Sequence, residues 1–332
     1  MAVKTILEEI ERDVIDVVNT NFIYNNTGVV PSSNDSALSY ESGIEKKGKK
    51  IDTCVLYVDI RNSVALTVKH HTQTMGRIYT AFTKAVLKVA RYHNGHTRNI
   101  IGDRVMIVFP STNCYTDAVN CAISINHIAV HIINKQFKGV VFKCGIGIDY
   151  GELRVIKVGI QRHGNEHAEN KGLVWVGYPA NIASRLTDNA NKTIESTYYE
   201  VVRNPINPRA IKPLFPLSSG FFGNTSKYDP NAPLYLPSIE TVAISPEEFA
   251  SSLRQHSNGS VYTTDGKLIR FEKKNKSIVY PSILMTEAVY KGFKSVNPID
   301  STITNNFWKE QEHQFKNVNS KVFGGSIYWI IK

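Results

Sequence analysis

Two aspartates and an asparagine–arginine pair are the residues of this sequence best placed to do chemistry. Asp59 ends the apolar, β-favouring run Val55-Leu56-Tyr57-Val58 and is followed by the turn and cap residues Asn62 and Ser63. Alternate residues of a strand share a face, so Tyr57 and Asp59 should look the same way. A carboxylate at the end of a buried strand, just before a helix start, suits metal and phosphate. Taken alone, the same residue reads as an ordinary helix cap. Asp103 lies in I-I-G-D-R-V, at the tip of an expected hairpin where Gly102 permits a sharp turn, and should project from the same sheet edge. Two acids at one edge, without His or Cys support, suit two hard divalent ions, Mg²⁺ or Mn²⁺, that also hold phosphates. Such ions lower the pKa of an attacking hydroxyl and neutralise a leaving pyrophosphate. Asn181 and Arg185 follow V-G-Y-P at i and i+4, hence on one helix face. There the amide orients a ribose and the guanidinium binds the reacting phosphate as charge builds.

The elements that must position these groups are readable from periodicity. Residues 4–20 carry an amphipathic helical pattern, and the polar stretch to about residue 50 reads as a flexible linker. A strand over 52–60 leads into a helix ending near His93. A hairpin follows, with strands near 96–101 and 104–109, and then a helix over 113–136. Strands over 140–149 and 152–159 are expected to turn at Tyr150-Gly151, followed by a polar loop (160–172) and a helix starting near Pro179. The order β-α-β-β-α-β-β predicts an α+β fold of the ferredoxin-like, polymerase-palm type, an antiparallel sheet with helices on one face. Seven of the 13 prolines fall within 201–237, which marks a junction between a catalytic domain (51–200) and a small C-terminal α+β domain (238–332).

Composition excludes several classes. A 332-residue chain with 42% hydrophobic and 20% charged residues is globular. No apolar run approaches a membrane span, and no signal-peptide pattern opens the chain. The four cysteines (Cys54, Cys114, Cys121, Cys144) show no C-x-x-C spacing and read as reduced, buried thiols of a cytoplasmic protein. The net charge of +10 permits an anionic partner. The two lysine-rich clusters, 46–50 and 267–276, lack interleaved aromatics and read as solvated faces, so no nucleic acid is expected. His163/His167 and His127/His131 have metal-like spacing without a third ligand and read as a loop and a helix face.

Taken together, Y-V-D-I-R-N-S, I-I-G-D and V-G-Y-P-A-N-I-A-S-R-L, in this order, resemble the catalytic domain of class III nucleotidyl cyclases over about residues 52–200. The resemblance implies two metal ions on Asp59, Asp103 and the backbone carbonyl of Ile60, with Asn181 and Arg185 as the transition-state pair. It also implies a head-to-tail homodimer, one protomer giving the acids and the other the Asn/Arg helix. The base-reading positions depart from the purine cyclases: Asn99 stands where Lys or Glu is usual, and Val174 where Asp or Cys is usual. Asn99 can donate to and accept from uracil or cytosine, and Tyr57 fills space a purine would need. No V-K-G segment marks a triphosphate-gripping lysine, which leaves the helix start at Asn62 and Ser63 for the phosphates.

The departures and the D-I-R-N-S wording resemble the pyrimidine cyclases of bacterial Pycsar anti-phage systems. Those make cyclic UMP or cyclic CMP for a separate effector protein, and the C-terminal part resembles a sensor-like domain found in some of them. The expectation is a uridylate cyclase; the alternatives are a cytidylate or purine cyclase, or a catalytically silent nucleotide sensor.

Overall fold

The computed structural model describes residues 3–39, 45–162, 165–211, 228–311 (apart from 256, 258 and 260) and 315–331; the side chains of 160–170 and 261 are outside the description. The chain runs α1 (Val3–Asn19), β1 (Asn21–Asn26), β2 (Glu45–Ile60), α2 (Ser63–Lys69), α3 (Thr72–Tyr92), β3 (His96–Ile101) and β4 (Arg104–Val108). Next come α4 (Cys114–His127), a π-helical turn (Ile128–Ile133), α5 (Asn134–Gln136), β5 (Cys144–Arg162), β6 (Asn165–Val176) and α6 (Tyr178–Asn189). β7 (Thr193–Pro205), β8 (Glu240–Ile244), α7 (Pro246–Ser252), β9 (Leu253–Gln255), β10 (Val261–Thr263) and β11 (Gly266–Val279) follow. The chain closes with β12 (Ile283–Thr286), α8 (Glu287–Val296), α9 (Ser301–Thr304), β13 (Lys309–Glu310) and β14 (Val322–Gly325).

Two compact units result: residues 1–192 with 280–332, and residues 193–279. The first is built on a sheet of order β13-β14-β12-β5-β2-β4-β3, with β1 on β2 and β6 on β5. β2 pairs antiparallel with β5 and β4, while β12 runs parallel to β5. Alternation along β2 decides what covers each face. Cys54, Leu56, Val58 and Ile60 join Ile78, Phe82 and Val86 of α3 and Ala118, Ala122 and Ile125 of α4. Ile51 and Val55 point the other way and pack with Met106, Val108, Leu153 and with Ala180 and Ala183 of α6. The mixed α+β fold is as expected, but α6 takes the face opposite α3 and α4, where one helix-covered face was expected.

Four local expectations are corrected. β5 runs unbroken through Tyr150-Gly151, with Gly151 paired to Thr53 beside the Pro179 ring of α6, so this glycine makes no turn. β6 occupies most of the expected 160–172 loop; His163 and Gly164 lie outside the described residues. The expected linker carries β1, paired parallel to Glu45–Lys50, and buries Val30 and Leu38. Its lysine cluster is only partly solvated: Lys46 is buried, Lys49 pairs with Asp35 at 2.5 Å and Lys50 with Glu152 at 3.1 Å.

The expected C-terminal domain over 238–332 is divided. Residues 280–332 complete the first unit, since Ile283, Met285, Val289, Phe293 and Trp308 enter its main core. The second unit is an antiparallel sheet of order β8-β7-β11-β10-β9. α7, opened by a Ser245/Glu248 capping box, sets Phe249 against Tyr199 and Phe271 at 4.6 and 5.0 Å between ring centroids. Within the proline-rich stretch, 201–205 is strand and Ile206 bridges Tyr235; residues 212–227 lie outside the described residues.

Candidate active site

Asp59 and Asp103 meet at one end of the sheet. Asp59 is the penultimate residue of β2, and Asp103 sits in the two-residue turn between β3 and β4, where Gly102 takes a φ of 61°. The Asp103 carboxyl is pushed above the usual carboxylate range, by burial first and then by the neighbouring Asp59 charge; a hydrogen bond from Ser63 works the other way. A pair of acids in that state gains from a shared cation, so two carboxylates with the Ile60 carbonyl at the strand end fit a hard divalent ion that completes its shell with phosphate oxygens. Among the described residues no group of three or more His, Cys, Asp and Glu side chains forms a self-sufficient metal cage.

Around Asp59 lies a network that sequence reasoning missed. Arg104 Nη2 donates to Asp59 Oδ2 at 2.9 Å and also pairs with Asp188; Arg104 Nη1 donates to Ser184 Oγ at 2.9 Å. Burial lowers the Arg104 pKa, but the bonds to Asp188 and Asp59 outweigh it and the net shift is upward. Arg61 is buried, lies 3.8 Å from Asp59 Oδ2, and donates through Nη2 to the Thr187 carbonyl. Burial drives the Arg61 pKa down, against the pull of Asp59. The glycines of β5 make room for this. A Cβ at Gly145 would run into the Arg61 guanidinium, and one at Gly147 into the Ala183 carbonyl and the Thr187 amide. Two glycines two apart, each across from a residue on the Asp59 face of β2, were the sequence signal available.

The Asn/Arg helix shows two faces. Thr187 is buried and Ser184 half-buried, Asp188 meets Arg104 from an exposed position, and Thr187 Oγ1 donates to the Tyr57 carbonyl at 3.0 Å. Asn181 is exposed, and among the described residues the Arg185 side chain donates to the Lys316 carbonyl, at 3.3 Å. Among the described residues no hydrogen bond joins either to Asp59 or Asp103. Ser184 and Asp188 of the same helix nevertheless reach Arg104, the partner of Asp59.

The base-side residues separate as well. Directly opposed residues of antiparallel strands share a face, so the row Asn99, Met106, Tyr57, Gly147 crosses four strands on the Asp59 side. Asn99 is exposed; Tyr57 is half-buried beside Met106 and Trp175. Burial raises the Tyr57 phenol pKa, with Arg104 opposing. Val174, 40% exposed, precedes Trp175, which packs on the α6 side with Arg98 over its ring; alternation along β6 turns Val174 to the other side. Asn62 takes a left-handed φ of 55° ahead of Ser63, the first residue of α2.

Sequence relatives identify the chain as a nucleotidyl cyclase, a phosphorus–oxygen lyase. No family model matches the chain. Over 176 residues it is 31% identical to a uridylate cyclase of Burkholderia cepacia, covering 52% of this chain and 72% of that protein. A cytidylate cyclase of Staphylococcus aureus is 26% identical over 118 residues, 33% of this chain and 28% of that one. Among solved structures, the adenylyl cyclase CyaB of P. aeruginosa is 11% identical with a TM-score of 0.44, over 83% of this chain and 94% of that chain. The protein belongs to the nucleotide cyclase family represented by the Burkholderia cepacia relative.

Proposed function

We propose that the protein converts UTP to 3′,5′-cyclic UMP and pyrophosphate, working as a homodimer with the acids of one protomer facing the Asn/Arg helix of the other. The ribose 3′-oxygen forms the new bond to the α-phosphorus, and the bond from that phosphorus to the β-phosphate oxygen breaks. Two divalent ions, Mn²⁺ or Mg²⁺, on Asp59, the Ile60 carbonyl and Asp103 would acidify the 3′-hydroxyl and neutralise the leaving pyrophosphate. Asn181 orients the ribose and Arg185 meets the charge growing on the phosphate. The backbone around Asn62 and Ser63 lies beside Asp103 and receives the phosphates.

The observation that carries the pyrimidine reading is the row of Asn99, Met106 and Tyr57 on the Asp59 face: Tyr57 takes up depth, and Asn99 offers a donor and an acceptor to a small base. The uridylate and cytidylate cyclases among its relatives support the same reading, and the S. aureus protein keeps CTP as the second substrate to test. The product would act as a second messenger in anti-phage defence, read by a separate effector protein in the cytoplasm; the D-I-R-N-S motif and its Pycsar resemblance support this. Among the described residues, no helix is long and apolar enough to cross a membrane.

The test is incubation with each of the four nucleoside triphosphates and Mn²⁺, with product separation. Cyclic UMP is expected to dominate, and Tyr57→Ala should raise the ATP and GTP products relative to cyclic UMP by about tenfold. A product from ATP or GTP alone overturns the base assignment; no product from any of the four favours a silent nucleotide sensor.

A further inference from the structure

Helix α1 has no buried residue. Val3, Leu7, Ile10, Val14 and Val17 follow the 4-3-4-3 spacing of a two-stranded coiled-coil seam, flanked by Ile6 and Val18. These seven side chains are 41–77% exposed in the single chain. Single soluble chains rarely leave so continuous an apolar stripe open to water.

The polar face discriminates among covers. Glu8, Glu9, Glu11, Asp13 and Asp16 stand against Lys4 and Arg12, so the helix is acidic on a chain of formal charge +10, and an anionic lipid surface repels it. A second copy of the helix matches it. In parallel register Leu7 and Val14 form the a layers and Val3, Ile10 and Val17 the d layers. The flanking neighbours are then Ile6 with Glu11 and Asp13 with Val18, which opposes no like charges. Either antiparallel register that keeps four layers sets a like pair together, Glu11 on Glu11 or Asp13 on Asp13.

We infer that α1 is a dimerisation helix whose partner is α1 of a second copy of this chain, in parallel. A seam of this length buries on the order of 700 Å² in total, short of the ~1,200 Å² at which specific dimers begin, so it forms one part of a larger two-copy contact. Its placement suits that role. α1 leads through Thr20 into β1, which pairs with the start of β2, the strand that ends at Asp59. The inference deepens the two-copy part of the proposed function, and its readouts use no substrate, so its failure leaves the cyclase reading standing.

Sedimentation velocity of the full chain over a micromolar concentration series tests it. The wild type should dimerise, and Leu7→Asp with Val14→Asp should raise the dimer dissociation constant at least tenfold. The unfolding midpoint of the monomer should stay unchanged, because no core residue is touched. Val14→Cys supplies a second readout. The four native cysteines are free and buried, so mild oxidation should join two copies through this position alone. A monomeric wild type, a double variant that dimerises as tightly as wild type, a Val14→Cys chain that does not cross-link, or α1-dependent binding to phosphatidylserine vesicles would each overturn it.

Discussion

In the proposed reaction the acid end of β2 and the outer face of α6 carry the two halves, yet they are built in opposite ways. Asp59 has a side chain only 15% exposed and is gripped by Arg104 and Arg61, while Asp103 is covered by Ser63 and by Asp59 itself. Asn181 is exposed, and among the described residues Arg185 reaches a backbone carbonyl of the C-terminal segment, that of Lys316. The acids must be rigid before substrate arrives, because like charges pressed together need fixed neighbours until a cation joins them. In the proposed mechanism the Asn/Arg pair acts only as transition-state charge develops, so it needs no such grip beforehand. α6, through Ser184, Thr187 and Asp188, is where one half is physically tied to the other within a chain.

The sharpest way to break this contrast is to delete each half in turn. Asp59→Ala and Asp103→Ala should each lower kcat by ~10³-fold or more and abolish Mn²⁺ binding measured by calorimetry. Asn181→Ala and Arg185→Ala should lower kcat by ~10²- to 10³-fold and leave Mn²⁺ binding intact. Metal affinity lost equally from both halves would erase the distinction. Next in size is Arg104→Gln, which cuts the tether between Asp59 and α6. An outer-shell partner of this kind should cost ~10- to 100-fold in metal affinity or kcat/KM, with secondary structure unchanged by circular dichroism.

The smallest effect concerns an acid outside both halves. Asp149 of β5 is buried, and burial pushes its carboxyl up to about 6, against a hydrogen bond of 2.5 Å from Thr286. The folded pKa lies above the unfolded one, so the folded chain binds the extra proton. This contribution to stability is full below about pH 4 and is lost as pH rises through about 6. A carboxyl raised to about 6 bounds it at about 3 kcal/mol. Asp149→Asn keeps the acceptor for Thr286 and should raise Tm at pH 8 more than at pH 5; equal shifts at both would show that Asp149 is not buried as a titrating acid.

Much of this was legible in the sequence, for physical reasons. Period-two and period-3.6 patterns placed β2, α3, β3, β4, α4 and α6, and the Gly102 turn brought Asp103 beside Asp59. What stayed hidden depends on contacts between distant segments. Tyr150-Gly151 has the composition of a turn, yet Gly151 pairs with Thr53 inside an unbroken strand. Arg61 and Arg104 look like surface cations until the fold sets them between Asp59 and α6. Lys46 hides in a basic run that reads as solvated. The return of residues 280–332 to the first sheet is a parallel pairing of β12 with β5, which local periodicity cannot announce.

In the proposed homodimer a working site takes its acids from one chain and its Asn/Arg helix from the other. Mixing Asp59→Ala with Arg185→Ala chains tests it directly, each being inactive alone. With random exchange, half the dimers are mixed and each carries one intact site, so turnover should return to about a quarter of the wild-type value. A mixture as inactive as its two components would contradict the composite site.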